Sequence, residues 1–317
     1  MNAHPQLAAP PLPAILCRMN LGQCYLNGAW RPARDLALPV DDLGVLLGAV
    51  VVERLRTFNG RPFRVDEHLA RLRRSLQIVG WNAEPLTAEI REAIAAFVDL
   101  NAELMTPGDD WSIAAFVTPG PSADAAHPTV CVHGAPVPFG NWADKFDRGV
   151  EVCITAVRQV PGNCWPSELK CRSRMHYYLA DQEAARRHPG ARALLLDQRG
   201  FIGEASTANV VAYFADRGLV TPRLDGVLPG ISLQFLFELA DELGIPHSQA
   251  DLLPATLAAA DEALLTSTSI CVQPVVRQDG QPIGGGQPGP IYRQLLAAWS
   301  QKVGVNVAAQ ARQFATR

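Results

Sequence analysis

Apolar and polar positions in the first half of the chain predict strands that are followed by helices. The segments CYLNGAWRP and Val50 to Arg56 are rich in apolar and β-branched residues and are bounded by Asn-Gly pairs, so both are predicted to be strands ending in tight turns. Apolar residues at helical spacing then predict one helix that Asp66 caps and Gly80 ends, and a second helix that begins at Thr87. Further strands are expected around residues 113–117 and 130–133.

The second half of the chain alternates strands with helices. The predicted elements are a strand at 150–157, a helix at 173–188, a hairpin that turns at 198–200, a strand at 210–214 and a helix that Gly230 opens. Glycine, proline and mixed charge without either periodicity indicate a connecting segment between the halves. The pattern predicts an α/β or α+β fold with a disordered leader over 1–20, a small N-terminal domain over 21–135, a linker over 136–149 and a larger C-terminal domain over 150–317.

The composition is that of a globular protein with no electrostatic signature for a polymeric partner. The 317 residues are 48% hydrophobic and 19% charged, and the formal net charge is -3. This balance argues against nucleic acid or an anionic membrane as a partner and favours a small-molecule substrate. The opening segment MNAHPQLAAPPLPAILC lacks a basic start and is interrupted by prolines, so neither a signal peptide nor a spanning helix is expected there.

The cysteines and histidines give no sign of a disulfide framework or a metal site. The seven cysteines are scattered and never spaced as CxxC, which indicates a reducing compartment and predicts a cytoplasmic protein. His127 and His133 have no nearby partners of ligand type at a recognisable spacing, so no metal is predicted.

Lys170 is the first candidate for chemistry, in the segment WPSELKCRSRMHYYLAD at the junction of a loop and a predicted helix. A lysine attacks a carbonyl only without its proton, and desolvation or a neighbouring cation favours that form. Arg172 and Arg174 could supply such a cation. The alternative is an ordinary surface lysine.

Glu204 is the second candidate, because it ends a predicted hairpin strand and short polar residues follow it. These residues are Ser206, Thr207 and Asn209. A carboxylate at this point could hold the protonated ring nitrogen of a cofactor. A simply solvated glutamate is the alternative.

Two segments and one arginine have the features of an anion site. A Pro-Gly turn leads into the helix that carries Ser232 in its first turn, where unpaired backbone N–H groups favour phosphate. The hydroxyl residues Thr266 to Ser269 follow an apolar strand, and Arg71 on the first helix could bind an anion in bidentate fashion. Capping, turn formation and a solvated helix surface explain the same residues without a ligand.

In this order, the segments resemble the class IV, fold-type IV pyridoxal phosphate enzymes, which include branched-chain aminotransferases, D-amino acid aminotransferases and aminodeoxychorismate lyases. The resemblance covers about residues 24–280 and rests on the blocks YLNGAW, VVVERLRTFNGRPFRVDEHLARLRRS, LKCRSRMHYYLADQEA, ALLLDQRGFIGEASTAN, LVTPRLDGVLPGIS and LLTSTSICVQPV. It implies a smaller N-terminal α/β domain, a larger C-terminal pseudo-barrel domain, pyridoxal phosphate between them, and a homodimer with active sites near the subunit interface.

The resemblance also implies roles for individual residues. Lys170 matches the Schiff-base lysine, and Glu204 matches the partner of the ring nitrogen. The expected phosphate contacts are Arg71, Ile231, Ser232 and Thr268, and the residues expected beside the cofactor are Ser206, Thr207 and Asn209. The implied reaction exchanges an amino group between an amino acid, possible examples being the branched-chain ones, and a 2-oxo acid, with Lys170 moving the Cα proton.

The substrate pocket departs from the family pattern. Leu47 and Val52 replace aromatic residues that are usual in the early block, Pro119 replaces the arginine of D-amino acid enzymes, and Ser173 replaces an asparagine common in several members. The candidate substrate contacts are Leu47, Val52, Arg172, Arg174 and Ser269. The amino acid, its handedness and the 2-oxo acid stay open.

Two alternatives to a transaminase follow from the same resemblance. A lyase acting on aminodeoxychorismate needs the same lysine and cofactor, but Glu53 stands where some of these lyases have threonine. A binding protein without turnover is suggested by the missing pocket aromatics, whereas the retention of Lys170 and Glu204 argues against it.

Overall fold

The computed structural model describes residues 22–316, so the leader predicted over residues 1–20 lies outside the described part of the chain. The described residues form two β-sheets with helices packed on them. This mixed architecture confirms the predicted α/β class. The division into domains stays a prediction.

The first sheet is antiparallel and is built from the N-terminal strands. Its strands are β1 (Gln23–Leu26), β2 (Ala29–Pro32), β3 (Val51–Phe58), β4 (Arg61–Pro62), β5 (Trp111–Thr118) and β6 (Thr129–Pro136), in the order β2-β1-β6-β5-β3-β4. A short helix, α1 (Leu43–Leu46), precedes β3. The helices α2 (Val65–Ile78) and α3 (Ala83–Leu100) pack on the sheet and enclose a core of aliphatic side chains with Phe97 and Trp111.

The second sheet is mixed and contains nine strands. They are β7 (Val150–Arg158), β8 (Arg192–Leu196), β9 (Ile202–Ala205), β10 (Asn209–Phe214), β11 (Gly218–Thr221), β12 (His247–Gln249), β13 (Glu262–Ser267), β14 (Cys271–Gln278) and β15 (Gln281–Pro282). Their order is β12-β11-β10-β13-β14-β7-β8-β9, with β15 paired to β14. Strand β7 runs parallel to both neighbours.

Six helices accompany the second sheet in the described chain. They are α4 (Lys145–Arg148), α5 (Met175–Arg187), α6 (Ile231–Glu242), α7 (Pro254–Ala258), α8 (Pro290–Val303) and α9 (Val307–Gln313). Helix α5 packs over β7 and β8, while α6 and α8 pack together around Phe235, Tyr292 and Trp299. No described helix has the length and apolar character needed to cross a membrane.

Both predicted Asn-Gly turns are present. Asn27 and Gly28 join β1 to β2, and Asn59 and Gly60 join β3 to β4. All four residues have positive φ, between 49° and 80°, which is the conformation of a two-residue type I′ turn. Asparagine and glycine tolerate this conformation better than other residues, which is why the pair marks the hairpins in the sequence.

The helix starts predicted for α2 and α3 are wrong by a few residues. Arg64, in a left-handed conformation, precedes α2, so Asp66 lies within the first turn instead of capping it. Helix α3 begins at Ala83, and the hydroxyl of Thr87 donates a 2.7 Å hydrogen bond to the Ala83 carbonyl inside the helix. Pro85 is tolerated because first-turn N–H groups have no helical partner.

The connecting segment is more ordered than its composition suggested. Strand β6 extends to Pro136, and a 3₁₀ turn at Phe139–Asn141 and the short helix α4 follow. Val137, Phe139 and Phe146 are buried in the core beneath the second sheet. Aromatic burial therefore holds a segment whose sequence lacks helical or strand periodicity.

The loop between β7 and α5 brings Lys170 against the first sheet. The backbone N–H of Val52 donates to the Lys170 carbonyl at 3.0 Å, and the N–H of Arg172 donates to the Val50 carbonyl at 2.9 Å. Cys171 forms a β-bridge with Val51 between these two bonds. A short antiparallel pairing thus joins the loop that carries Lys170 to the start of β3.

Candidate active site

A cavity of about 380 Å³ is lined by residues from both halves of the chain. Most of the site residues predicted from the sequence meet there. Those that line the cavity are Lys170, Glu204, Arg71, Ile231, Ser232, Thr268, Thr207, Asn209, Arg174 and Ser269.

Four predicted residues lie outside the cavity lining. The Ser206 hydroxyl donates to Asp181 at 2.6 Å, and Val52 is buried with only its backbone engaged by the lysine loop. Leu47 is 71% exposed beyond the end of α1, and Arg172 is also exposed. The replacements of aromatic residues by Leu47 and Val52 therefore do not change the lining of the cavity in a single chain.

Lys170 is held by its backbone and has a lowered proton affinity. Its N–H donates to the Ser75 hydroxyl at 3.1 Å, while its carbonyl accepts from Val52. Burial, followed by the positive charge of Arg71, lowers the pKa of Lys170 to about 7. Arg174 contributes less than Arg71 to this effect. A lysine with this pKa is partly unprotonated at neutral pH and can act as a nucleophile or a base.

Glu204 is buried and hydrogen-bonded on one oxygen. The Tyr177 hydroxyl donates to its Oε1 at 2.5 Å, and the Gln159 amide nitrogen donates to the same atom at 2.7 Å. Burial raises the pKa of Glu204, although both of these hydrogen bonds oppose the rise. A carboxylate in this position can bind a cationic N–H group that enters the cavity.

Arg71 forms a buried ion pair next to the lysine. Its Nε and one terminal nitrogen lie 2.8 and 2.9 Å from the two carboxylate oxygens of Glu53, and His68 Nδ1 lies 2.8 Å from Glu53 Oε2. Burial acts to raise the pKa of Glu53, but the charge and hydrogen bonds of Arg71, with help from His68, hold it well below its usual range. The other terminal nitrogen of Arg71 donates to the Pro229 carbonyl at 3.0 Å. The guanidinium is thereby fixed at the start of α6.

The start of α6 offers backbone donors in a space that only glycine leaves open. Gly230 precedes the helix, and no side chain caps it. A Cβ at Gly230 would lie 2.1 Å from Asn209 Oδ1, so a side chain there would collide with the asparagine. Asn209 is itself fixed by a 2.9 Å bond from its amide nitrogen to the Leu228 carbonyl. The N–H groups of Ile231 and Ser232 are therefore available to an anion beside Arg71.

The hydroxyl segment after β13 is divided between structural and cavity-facing residues. The Thr266 hydroxyl donates to the Cys271 carbonyl at 2.7 Å and closes the turn. Thr268 and Ser269 are partly buried and line the cavity. Arg56, buried on the first sheet, donates to the Ser269 carbonyl at 3.1 Å and holds this turn against β3.

Sequence reasoning missed several residues that line the cavity. They include Arg54, Trp142, Gln159, Trp165 and Arg192. The indole nitrogen of Trp142 and the amide oxygen of Gln159 are buried without a hydrogen-bond partner among the described residues. The sequence could have shown only that Arg54 and Glu53, as neighbours in a strand, point to opposite faces of the sheet. It does not show which of the two faces lines a cavity.

The chain is similar to known aminotransferases over most of its length. The model of the family Amino-transferase class IV matches residues 50–277. The D-alanine aminotransferase of Bacillus licheniformis is 26% identical over 286 residues, covering 87% of this chain and 95% of that protein. The branched-chain-amino-acid aminotransferase of Salmonella typhimurium is 27% identical over 289 residues, covering 87% and 91%.

Solved structures show the same fold. The branched-chain aminotransferase of the thermophilic archaeon Thermoproteus uzoniensis, solved with norvaline, superposes with a TM-score of 0.75 at 25% identity, covering 89% of this chain and 95% of that one. The branched-chain amino acid aminotransferase of Thermobaculum terrenum in its PLP form gives a TM-score of 0.78 at 22% identity, covering 93% and 97%. The predicted fold type is therefore confirmed. With its family model, relatives and fold in agreement, the chain belongs to the class IV aminotransferases, the transaminases that use pyridoxal phosphate.

Proposed function

We propose that Lys170 is the catalytic residue of this transaminase and that the cavity around it holds pyridoxal phosphate. The observation that carries the proposal is a lysine with a pKa of about 7 in one cavity with a buried carboxylate, Glu204, and an anion site at Arg71. In this assignment Lys170 binds the carbonyl carbon of the cofactor and Glu204 faces its ring nitrogen. The phosphate contacts are Arg71, the backbone N–H groups of Ile231 and Ser232, and the Thr268 hydroxyl.

The residues of the cavity fit this cofactor in charge and in hydrogen-bonding capacity. The space at Gly230 that a Cβ would fill lies beside the guanidinium of Arg71, which suits a phosphate. The unpartnered donor of Trp142 and acceptor of Gln159 can bond a polar ligand. When bound, pyridoxal phosphate supplies an electron-withdrawing ring that stabilises negative charge at the Cα of an amino acid.

The chain's own part in the reaction is to hold and move a proton. Lys170 Nζ, once free, accepts the Cα proton of the amino acid in the first half of the exchange. In the second half it donates a proton to the Cα of the 2-oxo acid that receives the amino group, and a pKa close to neutral suits both directions. Ser75 and Val52 fix its backbone while the side chain moves. Glu204, anchored by Tyr177 and Gln159, keeps its carboxylate oriented through the cycle.

The substrates we propose are an amino acid and a 2-oxo acid. The two relatives are named for D-alanine and for branched-chain amino acids. Because these substrates differ in side chain and in handedness, the likeness does not fix either property for the substrate of this chain. Lyase chemistry is less well supported because Glu53, the residue that distinguishes it, is engaged in holding Arg71. Retention of Lys170 and Glu204 in one cavity supports turnover over binding alone.

We further propose a homodimer in a reducing, cytoplasmic location. Exposed apolar side chains lie on α1 and at the start of α5, namely Leu46, Leu47, Met175, Tyr178 and Leu179. The Ser173 hydroxyl donates to the Gly48 carbonyl at 2.8 Å and joins these two segments into one surface, which a second copy could cover. The six cysteines of the described chain are all free, in keeping with a reducing compartment.

The test of the catalytic assignment is chemical trapping. The purified protein, loaded with cofactor, is treated with borohydride, digested and examined by mass spectrometry. We expect the reduced cofactor on Lys170, and we expect Lys170→Ala to lack both the adduct and the conversion of amino acids to 2-oxo acids. The matched control is Lys302→Ala, because Lys302 is an exposed lysine paired with Glu242 on the far helix. An adduct on a different lysine, or an unchanged adduct mass in Lys170→Ala, would contradict the assignment.

A further inference from the structure

A thiol, an imidazole and a carboxylate meet at the end of α5, away from the cavity that contains Lys170. Cys153, His188 and Asp279 each offer one ligand atom, and the three atoms lie within 4.8 Å of one another. They belong to strand β7, to the residue that follows α5 and to the turn between β14 and β15, and none of them lines the cavity. Because they are far apart in the sequence, no ligand spacing marks them there.

Cys153 is the fixed member of this cluster. It lies in the middle of β7, pairs in register with Ala193 of β8 and is fully buried. Ala180 and Ala184 of α5 pack over it in the same core. Its sulfur lies 3.8 Å from the Ile154 carbonyl, which is at most a weak hydrogen bond. A sulfur held between a strand and a helix has little freedom, so the other two side chains have to be positioned around it.

A tight turn holds Asp279 beside the thiol. Asp279 and Gly280 join β14 to β15 with φ values of 47° and 80°, the conformation of a type I′ turn. The Asp279 backbone N–H donates to the Val152 carbonyl at 3.0 Å, and the Ile154 N–H donates to Asp279 Oδ1 at 3.1 Å. These two bonds lie on either side of Cys153 along β7. Because Oδ1 takes the backbone bond, Oδ2 is the oxygen that a cation would take.

His188 is oriented by an acid of its own. It follows the last residue of α5, and its backbone N–H donates to the Ala184 carbonyl at 2.8 Å. Its ring Nδ1 lies 2.9 Å from Glu151 Oε1, and the Gly280 N–H donates to the same oxygen at 2.7 Å. A carboxylate on one ring nitrogen fixes the ring and its tautomer, as the outer partners of metal-bound histidines do. The negative end of the α5 dipole also favours a cation at this point.

The charges around the cluster also favour a cation. Arg187 lies 3.1 Å from Glu183 and 3.5 Å from Asp279, and its side chain is 45% exposed, so it can turn towards water. Arg277 donates to the Gly280 carbonyl at 2.9 Å. The charged residues of the described chain at this point are thus two bases and three acids, namely Arg187, Arg277, Glu151, Glu183 and Asp279. Acids exceed bases by one while Cys153 keeps its proton and by two once it is a thiolate, and a divalent ion balances the second state.

We propose that Cys153, His188 and Asp279 bind Zn²⁺, with water as the fourth ligand and Glu151 as the outer partner of the histidine. A thiolate, an imidazole and a carboxylate suit zinc, whereas magnesium and calcium prefer oxygen ligands alone. On binding, the Cys153 thiol releases its proton to water as the sulfur–zinc bond forms. The ion joins β7, the end of α5 and the β14–β15 turn, so it is a structural ion apart from the reacting atoms.

The geometry of the cluster is close to that of a zinc site. A tetrahedral ion with bonds of about 2.0–2.3 Å holds its ligand atoms about 3.3–3.8 Å apart, so the three atoms have to draw together by about 1 Å. The side chains of His188 and Asp279 are 26% and 31% exposed, which leaves them room for this movement while Cys153 stays in place.

The experiment is a zinc titration of the cofactor-loaded protein in competition with a chelating indicator. Wild type is expected to take up a single Zn²⁺ per chain, and Cys153→Ser and Asp279→Asn are each expected to weaken the affinity at least about tenfold. Asparagine tolerates the left-handed turn and keeps Oδ1, so Asp279→Asn tests the site even if Cys153→Ser folds poorly. His247→Asn is the control and should leave the affinity unchanged, because His247 lies 3.1 Å from Asp241 in a surface pair without a cysteine.

Cobalt in place of zinc reports the ligands directly. Tetrahedral Co²⁺ with a thiolate ligand absorbs strongly in the visible region, at longer wavelengths than the cofactor, and we expect wild type to show this absorption and Cys153→Ser to lose it. No zinc uptake by wild type, unchanged affinity in both variants or the weak spectrum of octahedral cobalt would overturn the proposal. So would zinc binding that is lost in Lys170→Ala, because it would place the ion in the cavity. Borohydride trapping at Lys170 needs no zinc, so it tests the proposed function separately.

Discussion

The cavity has two basic surfaces that differ in one respect, the presence of an acid. Arg71 is held by Glu53, with His68 on the same carboxylate, and is directed to the start of α6. Arg54 and Arg174 face the same space with only a hydroxyl and a carbonyl as partners. A guanidinium that is already oriented suits a group that stays bound, such as a cofactor phosphate. Unpaired guanidinium groups leave their full charge for a ligand that enters and departs.

The difference has an energetic basis. A buried ion pair gains little net stability over apolar packing, but removing one partner leaves an uncompensated charge at considerable cost. The Glu53 carboxylate is fully buried, and its lowered pKa records how strongly Arg71 stabilises its charged form. At the other surface, burial and then the charge of Arg174 lower the pKa of Arg54, and an anionic ligand would relieve this repulsion. The first surface therefore contributes to folding, whereas the second is expected to contribute to the binding of an anionic ligand.

Removing the acid from the paired surface should have the largest effect. Glu53→Ala leaves Arg71 and His68 buried without their shared carboxylate, and we expect it to lower the free energy of unfolding by about 3–5 kcal/mol. Cofactor affinity should fall with it, because Arg71 is then free to turn away from α6. Urea denaturation measures the first effect and fluorescence titration with pyridoxal phosphate the second.

The control for that variant is an exposed pair on the neighbouring helices. Glu84 lies 3.0 Å from Arg73, and both side chains are largely exposed. Glu84→Ala should therefore change stability by no more than about 1 kcal/mol. Equal losses in the two variants would mean that burial of the Glu53 pair has no energetic consequence.

Sequence reasoning could find the residues around the cofactor more readily than the unpaired arginines Arg54 and Arg174. Lys170, Glu204 and the Gly230 helix start each follow a local pattern, and the resemblance placed them in one site. The pairing of Arg71 with Glu53 joins residues 18 positions apart on a helix and a strand, so it depends on how α2 packs on β3. The lowered pKa of Lys170 comes first from burial and then from Arg71, where the sequence pointed to its near neighbours Arg172 and Arg174.

The residues that the sequence missed are those that packing alone brings to the cavity. Gln159 follows β7 and reaches Glu204 from 45 positions away, and Arg54 faces the cavity because β3 forms one of its walls. Conversely, Leu47 and Val52 drew notice because they depart from the family pattern, yet one is exposed and the other buried away from the cavity. A departure from the family motif shows that a residue differs, but only the fold shows whether that residue lies in the binding cavity.

The pH dependence of stability gives the next largest effect, and it reports on the unpaired surface because His133 lies on the same face of the sheet as Arg54, with both residues paired in register to Ala114. Burial, and then the charges of Arg172 and Arg54, lower the pKa of His133 to about 4. The unfolded chain, with an ordinary histidine pKa of about 6.5, binds more protons between these values. Stability from this group is therefore complete above pH 6.5 and is lost as the pH falls towards 4, by at most about 3 kcal/mol.

The measurement is the difference between wild type and His133→Gln in urea denaturation at pH 7.5, 6 and 5. Groups that titrate in both proteins cancel, so the difference should shrink as the pH falls. His127→Asn, on an exposed loop, is the control and should track wild type. A difference that stays constant with pH would mean that the folded chain does not lower the pKa of His133.

The smallest effect should come from giving the unpaired surface an acid of its own. The Ser112 hydroxyl accepts the hydrogen bond from Arg54, so Ser112→Asp places a carboxylate on that guanidinium, whereas Ser112→Asn matches its shape without the charge. We expect the aspartate to compete with an anionic ligand for Arg54 and to weaken binding of the 2-oxo acid about threefold to fivefold. The asparagine variant should keep the affinity of wild type for the 2-oxo acid. If both variants weaken binding of the 2-oxo acid equally, the loss reflects altered shape at Ser112, and the charge of Arg54 does not contribute to the binding of the anion.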